Sequence, residues 1–209
     1  MCIRDRLGGI GPELARELFE QADAKLVLLT RRELPSREHW DSWLAAGGDT
    51  ATVGRSIRTV QQLERSGAQV MVVQGDVTDI HRMREVVEEA SATFGAITGV
   101  VHAAGTMSQG IAATKSQADV EEVLGPKMYG TLVLAQVLPL DELDFFLLCS
   151  STSTSIAPPG QVDYVAANEY LNAYAQSRLG GATRVAALDW GIWADARWLS
   201  ACEGLNLYN

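Results

Sequence analysis

Short apolar runs alternate with longer segments of helical period along this 209-residue chain, and no other feature narrows its possible folds as far. The runs Lys25–Thr30, Gln69–Gln74, Thr98–His102, Phe145–Ser150 and Arg184–Trp190 have the length and apolarity of strands buried on both faces. Between them, helical periodicity predicts helices at about Pro12–Gln21, Ser56–Ser66, Ile80–Phe94, Gln117–Leu138 and Val162–Leu179. Pro12 suits a first helical turn, and Gly67 and Gly95 stand where a left-handed residue ends a helix. This alternation implies right-handed crossovers, and hence a doubly wound parallel sheet in three α/β/α layers. Residues 35–54, with Trp40, Trp43 and the turn Gly47-Gly48-Asp49, read as a surface elaboration with a short helix.

Composition closes off other classes. At 47% hydrophobic and 21% charged residues, the chain fits one globular domain with a sizeable core, not a disordered tail, a collagen or a coiled coil. No apolar run approaches the roughly 18 residues that a membrane span needs. Lys and Arg number 17 against 26 Asp and Glu, and the net charge of -9 gives no general footprint for nucleic acid or anionic lipid. Neither partner is expected. Cys2, Cys149 and Cys202 are too few and too widely spaced for a disulfide framework or a zinc site. A reducing, cytoplasmic compartment and no metal are therefore expected.

The two ends read differently from the middle. Residues 1–6 carry Arg4, Asp5 and Arg6 and no hydrophobic stretch, which makes them neither a signal peptide nor a good strand. Residues 196–209 lack clear periodicity. The expected organisation is a leader foreign to the domain at 1–6, the domain at 7–195, and a truncated or foreign tail at 196–209.

Gly8-Gly9-Ile10-Gly11 stands immediately before the first helix. Glycines there allow close backbone approach to a pyrophosphate, and a helix N-terminus offers free N–H groups and a positive dipole. An ordinary glycine loop would look the same. The next strand ends in Thr30-Arg31-Arg32, where an NAD enzyme presents an acidic residue to the ribose 2′-hydroxyl and an NADP enzyme an arginine to the 2′-phosphate. The implied cofactor is NADP(H). Asp76 in Gly75-Asp76-Val77 could accept from an adenine amino group, and Ala103-Ala104-Gly105 leaves room for a cofactor at the end of the fourth strand. The plainer alternatives are a helix N-cap at Asp76 or Thr78 and tight packing at 103–105.

Ser150-Ser151 closes the next strand, and Tyr164 and Asn168, four apart, share one helix face. Lys127, beside a Gly125-Pro126 break in the preceding helix, is the cation that could join them. A phenol whose ordinary pKa is about 10 is a poor acid–base group at neutral pH, and a nearby ammonium favours its ionised form. Each residue also has a structural explanation when taken alone: Tyr164 as a packed amphipath, Asn168 as a surface amide, Ser151 as a cap, Lys127 as a solvated charge.

Together, Gly8-Gly9-Ile10-Gly11, Gly75-Asp76-Val77, His102-Ala103-Ala104-Gly105, Gly125-Pro126-Lys127, Ser150-Ser151 and Gly160 through Asn168 resemble the ketoreductase domain of type I polyketide synthases. That domain is a branch of the short-chain dehydrogenase/reductases, with a Rossmann-like fold. The resemblance runs from about Leu7 to Trp193. Its most specific element is Asn168, where ordinary members carry lysine, together with Lys127 on the earlier helix. Trp190-Gly191-Ile192-Trp193 resembles the strand end that flanks the nicotinamide. The resemblance implies NADPH as cofactor, bordered also by Lys127 and Tyr164. It implies Tyr164 as proton donor, Ser151 as hydrogen-bond donor to the carbonyl, and Lys127 and Asn168 tuning the tyrosine and a proton relay. The substrate would be a β-ketoacyl chain on an acyl carrier protein's phosphopantetheine, with neighbouring synthase domains in cis.

The chain departs from that pattern at several points. Arg4-Asp5-Arg6 stand where the family has its first strand and an opening Thr-Gly-Gly, so a missing central strand and poor folding of the chain as written are expected. Met107-Ser108-Gln109 replaces the Leu-Asp-Asp of one stereochemical type, and Ile156 stands where the other has Trp. A silent nucleotide-binding scaffold, a stand-alone short-chain reductase acting on another carbonyl, and a methyltransferase remain as alternatives. A methyltransferase would want an acidic residue where Arg31 stands.

Overall fold

The computed structural model describes residues 10–46 and 53–191, together with the backbone of residues 2–4. Among these, six strands form one parallel sheet in the order β3-β2-β1-β4-β5-β6. The strands are β1 (Cys2–Arg4), β2 (Leu26–Thr30), β3 (Val70–Gln74), β4 (Gly99–His102), β5 (Phe145–Ser151) and β6 (Arg184–Trp190). The helices are α1 (Ile10–Ala22), α2 (Trp40–Ala45), α3 (Val53–Arg65), α4 (Ile80–Phe94), α5 (Gln117–Val137), the single turn α6 (Ser153–Ile156) and α7 (Val162–Ser177). The expected doubly wound α/β architecture is what the chain adopts. The strand order reverses between β1 and β4, and in open α/β sheets ligands bind at the carboxyl ends beside such a reversal.

Alternation along the strands builds two apolar layers. Leu26 and Leu28 of β2 face a cluster with Ala15, Ile57, Val60 and Leu63, which brings in α1 and α3. Val27 and Leu29 face the opposite cluster with Met83, Val86, Leu134 and Leu171, which brings in α4, α5 and α7. All five residues of β2 are buried, which explains why this strand reads as one uninterrupted apolar run. The predicted short helix of the 35–54 elaboration is α2, preceded by a 3₁₀ turn at Arg37–His39. Trp40 anchors it by burial and by donating its indole N–H to the Pro35 carbonyl at 2.7 Å. Gly67 and Gly95 both take the positive φ that favours glycine at a helix end, 99° and 86°, though Gly95, with ψ of -166°, is extended rather than left-handed helical. No helix among the described residues is long and apolar enough to cross a membrane.

Three sequence expectations give way. The central strand is present: Cys2–Arg4 pairs in parallel with β2 and with β4, with Cys2 opposite Val27 and Val100. Side-chain character argued against a strand there, but parallel pairing uses only the N–H and C=O groups that every such residue carries. The facing edges of two buried strands need those partners. Secondly, α5 runs unbroken through Gly125-Pro126. Proline removes one N–H and strains a turn, yet Val123, Gly125, Pro126, Lys127, Gly130, Thr131 and Leu134 are all buried, and that packing holds the helix together. Thirdly, the cap of α4 is neither Asp76 nor Thr78. Asp79 accepts from the N–H groups of His81 and Arg82.

Candidate active site

The residues singled out by sequence gather along the carboxyl edge of the sheet. Ile10 and Gly11 begin α1, Gly11 being buried; Gly8 and Gly9 lie outside the described residues. At the end of β2, the Thr30 hydroxyl accepts the Arg32 N–H and donates to the Arg32 carbonyl, both at 3.3 Å. The Gln74 amide holds the Arg31 carbonyl at 3.4 Å. This tight turn keeps the backbone fixed while the side chains of Arg31 and Arg32 stand exposed. Asp76 is half-buried and accepts from both the N–H and the hydroxyl of Thr78, at 2.9 and 2.7 Å. Val77 and Ala104 are 0% and 1% exposed, so their side chains belong to the core and only their backbone can face a ligand. Ala103 and Gly105 are half-buried beside them.

The chemical group is built by β5, α5 and α7. Lys127 is 4% exposed, and its ammonium donates to the Cys149 carbonyl at 2.7 Å. From there it lies 6.0 Å from the centroid of the Tyr164 ring. Gly105 makes room for it, because a Cβ at that position would sit 3.0 Å from Lys127 Cε. Asn168, one turn after Tyr164, is fully buried and donates its amide to the Tyr164 carbonyl at 2.7 Å. Its Oδ1 has no hydrogen-bond partner among the described residues, an acceptor left open beside the tyrosine. Ser150 is buried and donates to the Asn168 carbonyl at 3.3 Å, which ties β5 to α7. Ser151 is half-buried, and its Oγ accepts the Ser153 N–H at 3.2 Å. Burial pushes the neighbouring Cys149 thiol up to about 11, against the opposing pull of Lys127 and Trp190.

Sequence reasoning missed a second polar cluster in contact with this one. Lys115 and Asp163 form an ion pair of 2.7 Å with side chains 5% and 0% exposed, joined by Ser108. Burial raises the Asp163 carboxyl, but hydrogen bonds from Lys115, Ser108 and the Tyr164 N–H outweigh it and hold the group below its ordinary range. An aspartate in a first helical turn was the only local signal, since Lys115 lies 48 residues away in sequence.

A ketoreductase family model, described as the KR domain, matches residues 6–195. The chain belongs to the KR domain family. It is 33% identical over 205 residues to a 6-methylsalicylic acid synthase of Aspergillus terreus, covering 98% of this chain and 11% of that protein. It is 35% identical over 188 residues to a 5-methyl-1-naphthoate synthase of Streptomyces sahachiroi, covering 90% and 10%. The chain thus spans about a tenth of the length of these relatives. Among solved structures, a ketoreductase from the first module of phoslactomycin biosynthesis in Streptomyces sp. HK803 matches with a TM-score of 0.77 at 28% identity, over 93% of this chain and 42% of that one. A short-chain dehydrogenase/reductase of Burkholderia phymatum, at 21% identity and a TM-score of 0.72, shares the fold. This KR domain is therefore of the reductase type found in polyketide synthases, and its Rossmann-like sheet is the fold it shares with the Burkholderia phymatum short-chain dehydrogenase/reductase.

Proposed function

We propose that this KR domain reduces a β-ketoacyl thioester, carried on the phosphopantetheine arm of an acyl carrier protein, to the β-hydroxyacyl thioester, with NADPH as reductant. Neighbouring synthase domains in cis would supply and consume the acyl chain. The observation that carries this reading is the buried Lys127 ammonium set 6.0 Å from the Tyr164 ring centroid, with Asn168 one turn below and Ser151 at the adjoining strand end.

The carboxyl edge fits the nucleotide. A helix N-terminus at Ile10 suits a pyrophosphate, the exposed Arg31 and Arg32 suit a 2′-phosphate, and Asp76 suits an adenine amino group. A side chain larger than hydrogen at 105 would press on Lys127, so the floor beside the tyrosine stays low. When bound, the reduced nicotinamide supplies the hydride that the carbonyl carbon takes up. Tyr164 gives its phenolic proton to the carbonyl oxygen, completing the alcohol. Ser151 donates a hydrogen bond to that oxygen and fixes the carbonyl's direction. Lys127 stabilises the phenolate left on Tyr164, because its ammonium lies close and is poorly screened by water. The open Oδ1 of Asn168 can accept a water that returns the proton. A silent scaffold would have no use for this arrangement.

The test is mass spectrometry of a β-ketoacyl carrier protein incubated with the chain and NADPH. A gain of two hydrogens on the acyl arm supports the proposal. An unchanged acyl arm at complete nucleotide saturation overturns it.

A further inference from the structure

The segment between β4 and α5, residues 103–116, carries only a 3₁₀ turn at Ala112–Thr114 and reaches the start of α7 at three points. The Gly110 N–H donates to the Gly160 carbonyl at 3.1 Å. The Ser108 hydroxyl donates to Asp163 Oδ2 at 2.9 Å. The Lys115 ammonium donates to that same oxygen at 2.7 Å and to Ser108 Oγ at 2.6 Å. The other carboxylate oxygen, Oδ1, accepts the N–H of Tyr164 at 2.9 Å. A single buried carboxylate therefore joins the loop to the backbone of the tyrosine.

Stability alone is a poor reason for such a group. Taking two charges out of water costs several kcal/mol that their attraction barely returns, and apolar residues of similar volume serve a core as well or better. What the closed triad supplies is direction: each of its three hydrogen bonds has a defined partner, and the Lys115 and Asp163 side chains are shut away from water. The loop it fixes carries the half-buried Met107 and the exposed Gln109 and Ile111 beside the site, Ile111 being 73% exposed. An acyl chain entering toward Tyr164 would meet these side chains.

We infer that Lys115, Asp163 and Ser108 form a latch that seats the 106–111 loop on the first turn of α7 and so fixes which face of the ketone is presented beside Tyr164. They are positioning residues, acting through the loop and the tyrosine backbone. The inference rests on the reductase reading above for its stereochemical consequence, but its structural half stands apart from it.

The test uses K115M, K115R and the double variant K115M/D163N, which leaves no lone buried charge. Hydrogen exchange without any ligand should speed up at 106–111 and at the Tyr164 amide in K115M, with β5 unchanged. With NADPH and a small prochiral β-ketoacyl thioester, K115M should lose about tenfold in kcat, as misplaced reactants do, and about as much in the ratio of the two alcohol enantiomers. NADPH affinity should stay within about twofold, since Lys115 contacts none of the nucleotide edge. K115R should restore most of the ratio. Where K115M does not melt cooperatively, the double variant is read in its place. A folded variant with parental enantiomer ratio and parental exchange overturns the latch, as does loss of the cooperative melt in both variants, which would mean a fold-wide role. If the parent reduces no β-ketoacyl thioester, the reductase reading fails, and the exchange rates alone then decide the latch.

Discussion

Gly130 is where α5 comes closest to the sheet, and replacing it with alanine is a sharp test of the packing that places Lys127. A Cβ built there would lie 2.5 Å from Val77 Cγ1, 3.2 Å from His102 Cε1 and 3.4 Å from His102 Nε2. Unstrained carbon pairs sit at about 3.5–4.0 Å, so α5 must move by roughly an ångström. Val77 and His102 are both 0% exposed, and neither a branched side chain nor an enclosed ring can swing aside. Overpacking of this kind costs about 1–3 kcal/mol, and the rigid surroundings place Gly130→Ala at or above the top of that range. The better helix propensity of alanine returns about 1 kcal/mol. The net loss is about 2 kcal/mol, which for a domain of this size lowers Tm by about 4–8 °C. Thermal unfolding followed by circular dichroism measures it. Val77→Ala opens the missing space, so the double variant should be less destabilised than the sum of the singles by about 1 kcal/mol. An unchanged or raised Tm in Gly130→Ala, or strict additivity of the pair, would refute this account of α5.

Other outcomes follow from named groups. Arg31→Ala should weaken NADPH by about 1.5–3 kcal/mol while NADH binding hardly changes, as seen by fluorescence titration; equal losses for both would remove the 2′-phosphate contact. With its thiol held up to about 11 against an ordinary 9.0, Cys149 favours the folded state fully below pH 9 and loses that advantage as pH rises to 11. Denaturant melts across this window should show about 2–3 kcal/mol more alkaline destabilisation in the parent than in Cys149→Ala. Asp163, held below its ordinary range, contributes stability above about pH 4 that disappears as pH falls through its lower folded value, and Asp163→Asn should flatten that acid limb.

How much of this was legible in the sequence depends on whether the cause was local. β2 and β5 read directly, because strands covered on both faces must be continuously apolar. The end of α4 read directly from Gly95, whose positive φ few other residues adopt. Tyr164 and Asn168 share a face through their spacing alone, whereas the approach of Lys127 to Tyr164 depends on how α5 and α7 pack. Nothing local announces that packing. The strand at Cys2–Arg4 was illegible because its pairing is a demand of its neighbours' backbones rather than of its own side chains. The tie between Lys115 and Asp163 joins a loop to the first turn of a helix 48 residues away, and only the folded chain brings them together. Val77 and Ala104 lie just past the ends of β3 and β4, and their burial depends on how the turns leaving those strands pack, which no local pattern announces.

The reductase account stands most directly on Tyr164. Tyr164→Phe removes one hydroxyl from a half-buried residue and leaves the Arg31–Arg32 turn, Asp76 and α1 untouched. Steady-state reduction of a β-ketoacyl thioester, with NADPH binding measured in parallel, should show near-parental nucleotide affinity and turnover lower by about 10²–10⁴-fold, the usual contribution of a positioned acid. Parental turnover in Tyr164→Phe, with the nucleotide bound as before, would contradict the assignment of the proton donor and the mechanism built on it.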